Sequence, residues 1–437
     1  MSANNPALTI KRITSRTWMV MAALAVTGQI AWAVENSWFN TFVYDEITPD
    51  PRPVAWMVAA SAITATLTTL IIGTLSDRTR SRLGRRKPFI LFGYILWGIS
   101  TIIFPLTAYI KVSSLAVLAV ILADSVMTFF GSTANDAAFN AWTTDVASSN
   151  TRGRVEGLLQ VCTFVAQVVV TVLAGMVIDN VGYFIFFYIL GGVVVLVGLV
   201  SGSLLQEPPS VDNPRASIPF WQEFTSLFSM DTVRQNPRLF LLMLSILISN
   251  IGTQVSFPYL IVYLTNFIGM SKTQYSIIGG AVMVGGALVA VPFGILADRQ
   301  DRRLMMILAT TASCLGVFAF AFMRSLVGLA IFGFIWQGFL VAVGIASMAW
   351  MKDLLPEENR GKFLGVRMIF WIALPMVIGP FIGSSLIQAY GIPTVTNGQA
   401  GFIPVPIIFI VDSIVGLFSL LPLLFVHGKV LPLKSED

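Results

Sequence analysis

The sequence predicts an all-α membrane protein, with twelve transmembrane helices arranged as two pseudo-symmetric six-helix bundles. Three observations carry this reading: an extreme apolar composition, apolar runs of spanning length, and an internal repeat that falls in register between the two halves of the chain. Of 437 residues, 56% are hydrophobic and 11% charged, against roughly 45–50% apolar usage in soluble domains. Runs such as VMAALAVTGQIAWAV and IPVPIIFIVDSIVGLFSLLPLLFV approach the ~20 residues a helix needs to cross the hydrocarbon layer.

The spans are expected at 17–44, 53–75, 88–109, 114–140, 157–178, 183–205, 238–266, 274–297, 304–323, 326–350, 363–390 and 403–426. The polar, then basic, N-terminus leads into a span longer than a signal-peptide core, so no cleavage is expected. Cys162 and Cys314 sit inside apolar runs and read as small core residues without a disulfide framework. The longest polar segment, rich in proline and mixed charge, divides the chain into a bundle at 1–205, a linker at 206–237 and a second bundle at 238–437. Within the linker, FWQEFTSLF has the pattern of a short amphipathic surface helix.

The net charge of +5 raises the question of a nucleic-acid partner. The cations answer it by their placement. Arg52, Lys111, Lys272 and Arg324 fall on one side of the membrane and Arg367 at the start of the eleventh span, which leaves 22 of the 27 Lys and Arg on the other side. That bias predicts both termini in the cytoplasm and a chain resident in the cytoplasmic membrane. The basic excess is scattered over short loops, so no nucleic acid is expected. The densest cluster, SDRTRSRLGRRKPFI, puts six cations into the ten residues from Arg78 to Lys87.

That cluster also opens the repeat. GTLSDRTRSRLGRRK (73–87) returns, shortened, as GILADRQDRR (294–303), and AWTTDVASSNTRGRVEG (141–157) returns as AWMKDLLPEENRGKFLG (349–365). The first offset, 221 residues, also aligns Ala65, Thr69 and Gly73 with Gly286, Ala290 and Gly294, small residues four apart that would let membrane helices approach closely. Both repeated segments lie on the cytoplasmic side, so the halves are parallel copies about an axis along the membrane normal.

Gly73-x-Leu75-x-Asp77-Arg78 followed by Gly84-Arg85-Arg86 resembles the signature loop between helices 2 and 3 of the major facilitator superfamily, and Gly294-x-Leu296-Ala297-Asp298-Arg299 resembles its weaker echo between helices 8 and 9. The longer form, which continues through Ser81, Arg82 and Lys87-Pro88-Phe89, is similar to the sucrose transporters and the glycoside–pentoside–hexuronide:cation symporters. Two departures stand beside the likeness. The second span has no acid of the kind the melibiose-type branch uses for its cation. The Gly-Pro motif that drug–proton antiporters carry on helix 5 is missing there, which counts against an exporter, while a similar Gly379-Pro380-x-x-Gly383 occurs in the eleventh span. The resemblance implies a cytoplasmic gate built from Asp77, Arg78, Arg82, Gly84, Arg85 and Arg86, echoed by Asp298 and Arg299. Ties of Asp145 to Arg152 and of Asp353 to Arg360 are expected one loop further on.

A carrier of this kind needs a polar cavity near the midplane. Glu156, Gln160, Thr163, Gln167 and Thr171 recur on one face of the fifth span. Gln29, Trp32, Asn36 and Asn40 share a face of the first, and Asn250, Gln254 and Phe257 one of the seventh. Trp336, Gln337 and Trp371 are candidates from the second half. Amides can hydrogen-bond hydroxyls, and tryptophan offers a flat apolar face. Four acids fall within spans, where ionisable groups are costly and functional by default: Glu35, Asp124, Asp136 and Asp412. Glu35 lies about 120° from the polar face of its helix, at about 100° per residue, and is expected to face a neighbouring helix. Asp136 maps to Gly344 across the repeat and so breaks the symmetry; it also aligns best with the helix-4 acid that the symporters use for their coupling cation. It ranks first as coupling acid and Asp124 second. No cation lies within the first-half spans, which suits proton carriage. The single histidine, His427, lies at the end of the last span and is not the carrier.

The expected function is therefore secondary active transport of a sugar or glycoside by proton or other cation symport, in a monomer without cofactor or metal. Proton-coupled efflux of drugs or other amphiphiles is the alternative. No phosphate-binding loop, His/Cys metal cluster or Ser–His–Asp set is found in the sequence, so an enzyme is not expected.

Overall fold

A computed structural model describes residues 13–148, 150–207, 234, 236–297, 299–354 and 367–426. Eleven stretches are long and apolar enough to cross a membrane, and one of them, Arg152–Leu204, is two helices meeting at Gly182. The twelve helices are α1 (Ser15–Ile47), α2 (Pro51–Arg78), α3 (Lys87–Tyr109), α4 (Ser113–Val146), α5 (152–181), α6 (183–204), α7 (Pro237–Phe267), α8 (Lys272–Ala297), α9 (Arg302–Phe322), α10 (Leu326–Leu354), α11 (Ile369–Tyr390) and α12 (Ile407–Leu424). The starts of α2 and α9 are capped by aspartates: Asp50 accepts from the Arg52 N–H at 3.0 Å and Asp301 from the Arg303 N–H at 2.9 Å. Gly182, at φ +82°, takes the turn between α5 and α6 that an L side chain would resist. Backbone hydrogen bonds close within each helix, as hydrocarbon surroundings require.

The helices of each half are drawn together by glycine. In the first half, α3 and α6 touch backbone to backbone: a Cβ on Gly98 would sit 2.5 Å from the Gly191 carbonyl oxygen, and one on Gly191 2.5 Å from that of Gly98. In the second half Gly379 and Gly383 of α11 seat against α7 in the same way. The small-residue stripe expected from the repeat is only partly of this kind. A Cβ on Gly286 would lie 3.4 Å from the Gly338 Cα, but one on Gly73 would meet nothing within 4 Å.

The halves meet along two seams related by the repeat, α2 against α11 and α5 against α8. Gly175 of α5 lies so close to the Lys272 carbonyl that a Cβ would stand 2.2 Å from it, and its N–H donates to Ser276 Oγ at 3.1 Å. The end carrying the α1–α2, α5–α6, α7–α8 and α11–α12 connections is closed by further bonds between the halves. Lys272 pairs with Asp45 at 3.0 Å, and Asp45 also accepts from the Tyr183 hydroxyl at 2.7 Å. Thr273 donates to Asp179 through N–H and hydroxyl, each at 2.7 Å. Tyr259 reaches the Pro51 carbonyl at 3.2 Å.

A β-hairpin completes this closure: β1 (Ile392–Thr396) pairs antiparallel with β2 (Gln399–Ile403). Its two-residue turn places Asn397 at φ +52° and Gly398 at φ +77°, the positive angles that an Asn-Gly turn supplies. Phe402 N–H donates to the Pro49 carbonyl at 3.0 Å and Asn397 Nδ2 to that of Glu46 at 3.2 Å, so a second-half strap grips the α1–α2 connection. The expected start of the twelfth span at 403 is corrected by this. Residue 403 ends a strand, and α12 begins at Ile407 after Pro404 and Pro406. The expected surface helix in the linker and His427 lie outside the described residues.

Gly98→Val is expected to cost about 2 kcal/mol or more through overpacking against backbone that cannot yield, read as a lowered melting temperature in detergent. Gly192→Ala, with nothing within 4 Å of its Cβ, should leave it unchanged.

Candidate functional site

Between the halves lies a cavity of about 490 Å³. Asn36 and Trp38 of α1, Gln167 and Thr171 of α5, and Trp336 and Gln337 of α10 furnish its polar and aromatic groups. Apart from Ser37, the rest of the wall is aliphatic, aromatic, methionine or glycine, and none of the lining residues is charged. Trp38 meets Tyr275 of α8 edge-on at 5.8 Å at the closed end. On the α5 stripe, Gln167 and Thr171 line the cavity while Gln160 and Glu156, nearer the basic loops, are exposed.

Of the candidate solute contacts, the structure brings together Asn36, Gln167, Thr171, Phe257, Trp336 and Gln337. The others serve packing or lie apart. Trp32 is tilted against Trp97 at 5.0 Å within the first half. Asn250 donates to the Trp371 carbonyl at 3.0 Å and so ties α7 to α11. Gln254 is pressed against Gly379, and Trp371 lies beneath the Arg367 guanidinium at 5.6 Å. Gln29 is half-buried and does not line the cavity. Beyond Phe257 and Trp336, the aromatic wall has no sequence signal, because a phenylalanine facing the cavity and one facing lipid look alike on helices that are apolar all round.

Beside the cavity, within the first half, lie three acids. Glu35 faces α2 and α4, as its angular offset predicts. Its Oε1 accepts from Ser61 Oγ at 2.7 Å and Thr128 Oγ1 at 2.9 Å, and the two hydroxyls are themselves 2.7 Å apart. Glu35 Oε2 and Asp124 Oδ1 are buried without a hydrogen-bond partner. Asp136 accepts from Ser132 Oγ at 3.0 Å and Asn135 Nδ2 at 3.2 Å, and Asn135 in turn accepts from Tyr94 at 3.0 Å. No ion pair among the described residues involves any of the three. Glu35 and Asp136 both occupy π-helical stretches, Glu35–Phe39 and Ser132–Phe139, irregularities that favour functional positions. Asp412, the fourth acid, lies in the second half and accepts from Ser256 Oγ at 2.6 Å.

At the opposite end from the hairpin the basic loop is organised around Arg86. This residue, 5% exposed, donates to Ser76 Oγ at 2.6 Å, to Asp77, and to Asp145 at 3.3 Å, while Arg85 reaches Asp145 at 2.7 Å. Arg85 and Arg86 thus take the place expected of Arg152, which is exposed. Arg78, Arg82 and Arg299 are also exposed. In the second half Asp353 pairs with Arg302 at 3.1 Å; its expected partner Arg360, and Asp298, lie outside the described residues. Every ion pair between described residues at this end joins residues of the same half.

Glu207, just past α6, was not foreseen. Its carboxylate accepts from the backbone N–H groups of Arg85, Arg86 and Lys87 at 2.7, 2.6 and 2.5 Å, the unpaired donors of the α3 N-terminus. It also explains Gly84, which has φ +113° and whose Cβ would stand 2.6 Å from that carboxylate. Gly84→Ala should therefore lower the melting temperature sharply. Combined with Glu207→Ala, it should cost less than the sum of the two single changes, because the clash is gone; strict additivity would separate Gly84 from Glu207.

The model of the Major Facilitator Superfamily matches residues 20–263 and again 242–436. The chain is similar to the inner membrane transport protein YajR of Escherichia coli K12, 32% identical over 139 residues, which are 31% of this chain and 30% of that protein. It is also similar to the multi-drug resistance efflux pump PmrA of Streptococcus pneumoniae, 25% identical over 183 residues, 41% of this chain and 42% of that one. The matched stretches thus span less than half the length of these relatives. Among solved structures, the nucleoside transporter NupG superposes with TM-score 0.71 at 14% identity, over 92% of this chain and 99% of that one. A bacterial homologue of the lysosomal transporter Spinster, inward-facing and unoccupied, superposes with TM-score 0.67 at 14% identity, over 94% and 96%. Twelve helices in two matched halves, a signature loop in each half, and a family match in each half lead to one conclusion: the chain belongs to the Major Facilitator Superfamily.

Proposed function

We propose that the chain is a proton-coupled secondary active transporter that exports amphiphilic organic solutes by alternating access. The observation that carries this reading is the cavity: about 490 Å³ between the halves, shut at the hairpin end, walled by aromatic and aliphatic side chains, with a few amides and no charge. Such a wall rewards apolar area and leaves few hydrogen bonds to satisfy a polyol. PmrA, a relative by sequence, is an efflux pump by name.

In this reading residues 1–205 and 238–437 move as two bodies joined by 206–237. The basic end faces the cytoplasm of a cell whose cytoplasmic membrane holds the protein as a monomer, and the hairpin-end closure makes the described state inward-facing. The proton is carried by the first-half acids. Glu35 Oε1, Ser61 Oγ and Thr128 Oγ1 lie within 2.7–2.9 Å of one another, so three contacts await three protons. The two hydroxyls supply two, and a proton on Glu35 supplies the third and closes the ring. Asp136, half-buried near the basic end, serves as the step between this ring and the cytoplasm. The basic loops hold each half rigid as it moves.

A glycoside, the second reading, is favoured by one feature: Asn36, Gln167 and Gln337 converge on the cavity beside Trp336, which joins amide donors to a flat ring face. Proteoliposome transport separates the two. For an amphiphile, Trp336→Ala should weaken apparent affinity more than Gln167→Leu; for a glycoside the order should reverse, because a lost hydrogen bond to a bound hydroxyl costs more than a lost apolar contact. In either case Glu35→Gln and Asp136→Asn should cut gradient-driven accumulation about tenfold or more while sparing solute exchange. A Glu35→Gln protein that accumulates solute normally under a proton gradient would remove Glu35 from the mechanism.

A further inference from the structure

The second half holds a smaller cavity that the proton route does not use. It offers about 10 Å³, room for one water-sized sphere, beside the Asp412 carboxylate. Its wall includes Ser249, Thr253, Thr310, Ser313 and Cys314, and no basic residue. Asp412 is 4% exposed and accepts from Ser256 Oγ at 2.6 Å, and no cationic side chain lines the cavity to balance its charge.

The hydroxyls around it point their protons elsewhere. Ser313 donates to the Trp336 carbonyl at 3.1 Å and Thr253 to that of Ser249 at 3.3 Å, which leaves oxygen lone pairs free to face the cavity. Thr310, 2% exposed, has an Oγ1 with no hydrogen-bond partner at all. A buried carboxylate, spare hydroxyl oxygens and an orphaned hydroxyl around a single-atom space form a hard-oxygen cation site. One carboxylate balances one positive charge, so a divalent ion would leave an excess charge in an apolar interior. A larger alkali ion would need more ligands than so small a space admits.

We propose that this cavity is a sodium site, with Asp412 supplying the charge and Thr310, Ser313 and Thr253 supplying further oxygens. Trp336 lines both this cavity and the solute cavity. An ion at Asp412 therefore sits behind a wall of the solute site, on the half of the protein that lacks the acid ring.

The test uses the purified full chain in detergent, without solute or gradient, so its outcome does not depend on the transport reading. Replacing choline by sodium at constant ionic strength should raise the melting temperature by about 2 °C or more, and potassium should not. Bound radioactive sodium should approach one ion per chain. Asp412→Asn and Thr310→Val should each weaken the sodium effect about tenfold or more, and Thr310→Ser should restore it. Should Asp412→Asn fail to fold, the Thr310 pair decides alone. Equal melting in sodium, potassium and choline would overturn the proposal and make the cavity a water site, as would a sodium shift unchanged in Thr310→Val.

Discussion

Among the described residues a single ion pair crosses between the halves, Asp45 to Lys272, and the closed end is arranged around it. Tyr183 donates to the same carboxylate, and Gly175 lets the α5 backbone settle onto the carbonyl of Lys272 itself. With these atoms joined, α5 and α8 are held together at the hairpin end, and farther along both helices line the cavity. Remove the close approach at Gly175, and the Trp38–Tyr275 contact and the hairpin's hold on the α1–α2 connection lose their common reference. The state of the molecule is set at that end, where the chain has few charges, and not by the cluster of cations opposite.

The two ends consequently do different work. At the hairpin end, bonds join one half to the other. At the basic end, Arg86, Asp77, Asp145 and Glu207 bind one half to itself, as Arg302 and Asp353 do in the other. Charge-assisted bonds of this kind suit rigidity: they keep α2, α3, α4 and the end of α6 together as a single body. In this state the repeated aspartates Asp77, Asp145 and Asp353 each pair within their own half.

Much of the fold could be read from the sequence because lipid imposes a simple rule. Spans must be helical and about 20 residues long, so apolar runs mark them, and the repeat in loops placed the two halves. The hairpin escaped notice although Asn397-Gly398 is a strong turn signal, because the apolar residues of FIPVP blended into the following span. The site was legible only where polarity is rare. Glu35, Asn36, Gln167 and Gln337 stood out against an apolar background, and Glu35 was even given its correct direction. Pairings were harder. Asp145 and Arg152 are neighbours in sequence, yet the guanidiniums that reach Asp145 come from 85 and 86, and Glu207 meets a helix start more than a hundred residues away. Spacing along the chain carries no information about such distances.

Glu35 and Asn36 are consecutive, and one joins the acid ring while the other lines the solute cavity. They lie in a π-helical stretch, which holds one residue more than the α-helical path would. Were that extra residue to pass along α1, the flanking segment would turn by about 100°. The positions on either side of the bulge would then trade surfaces. A helix so built stores a choice of register at the point where the buried acid and the cavity wall adjoin.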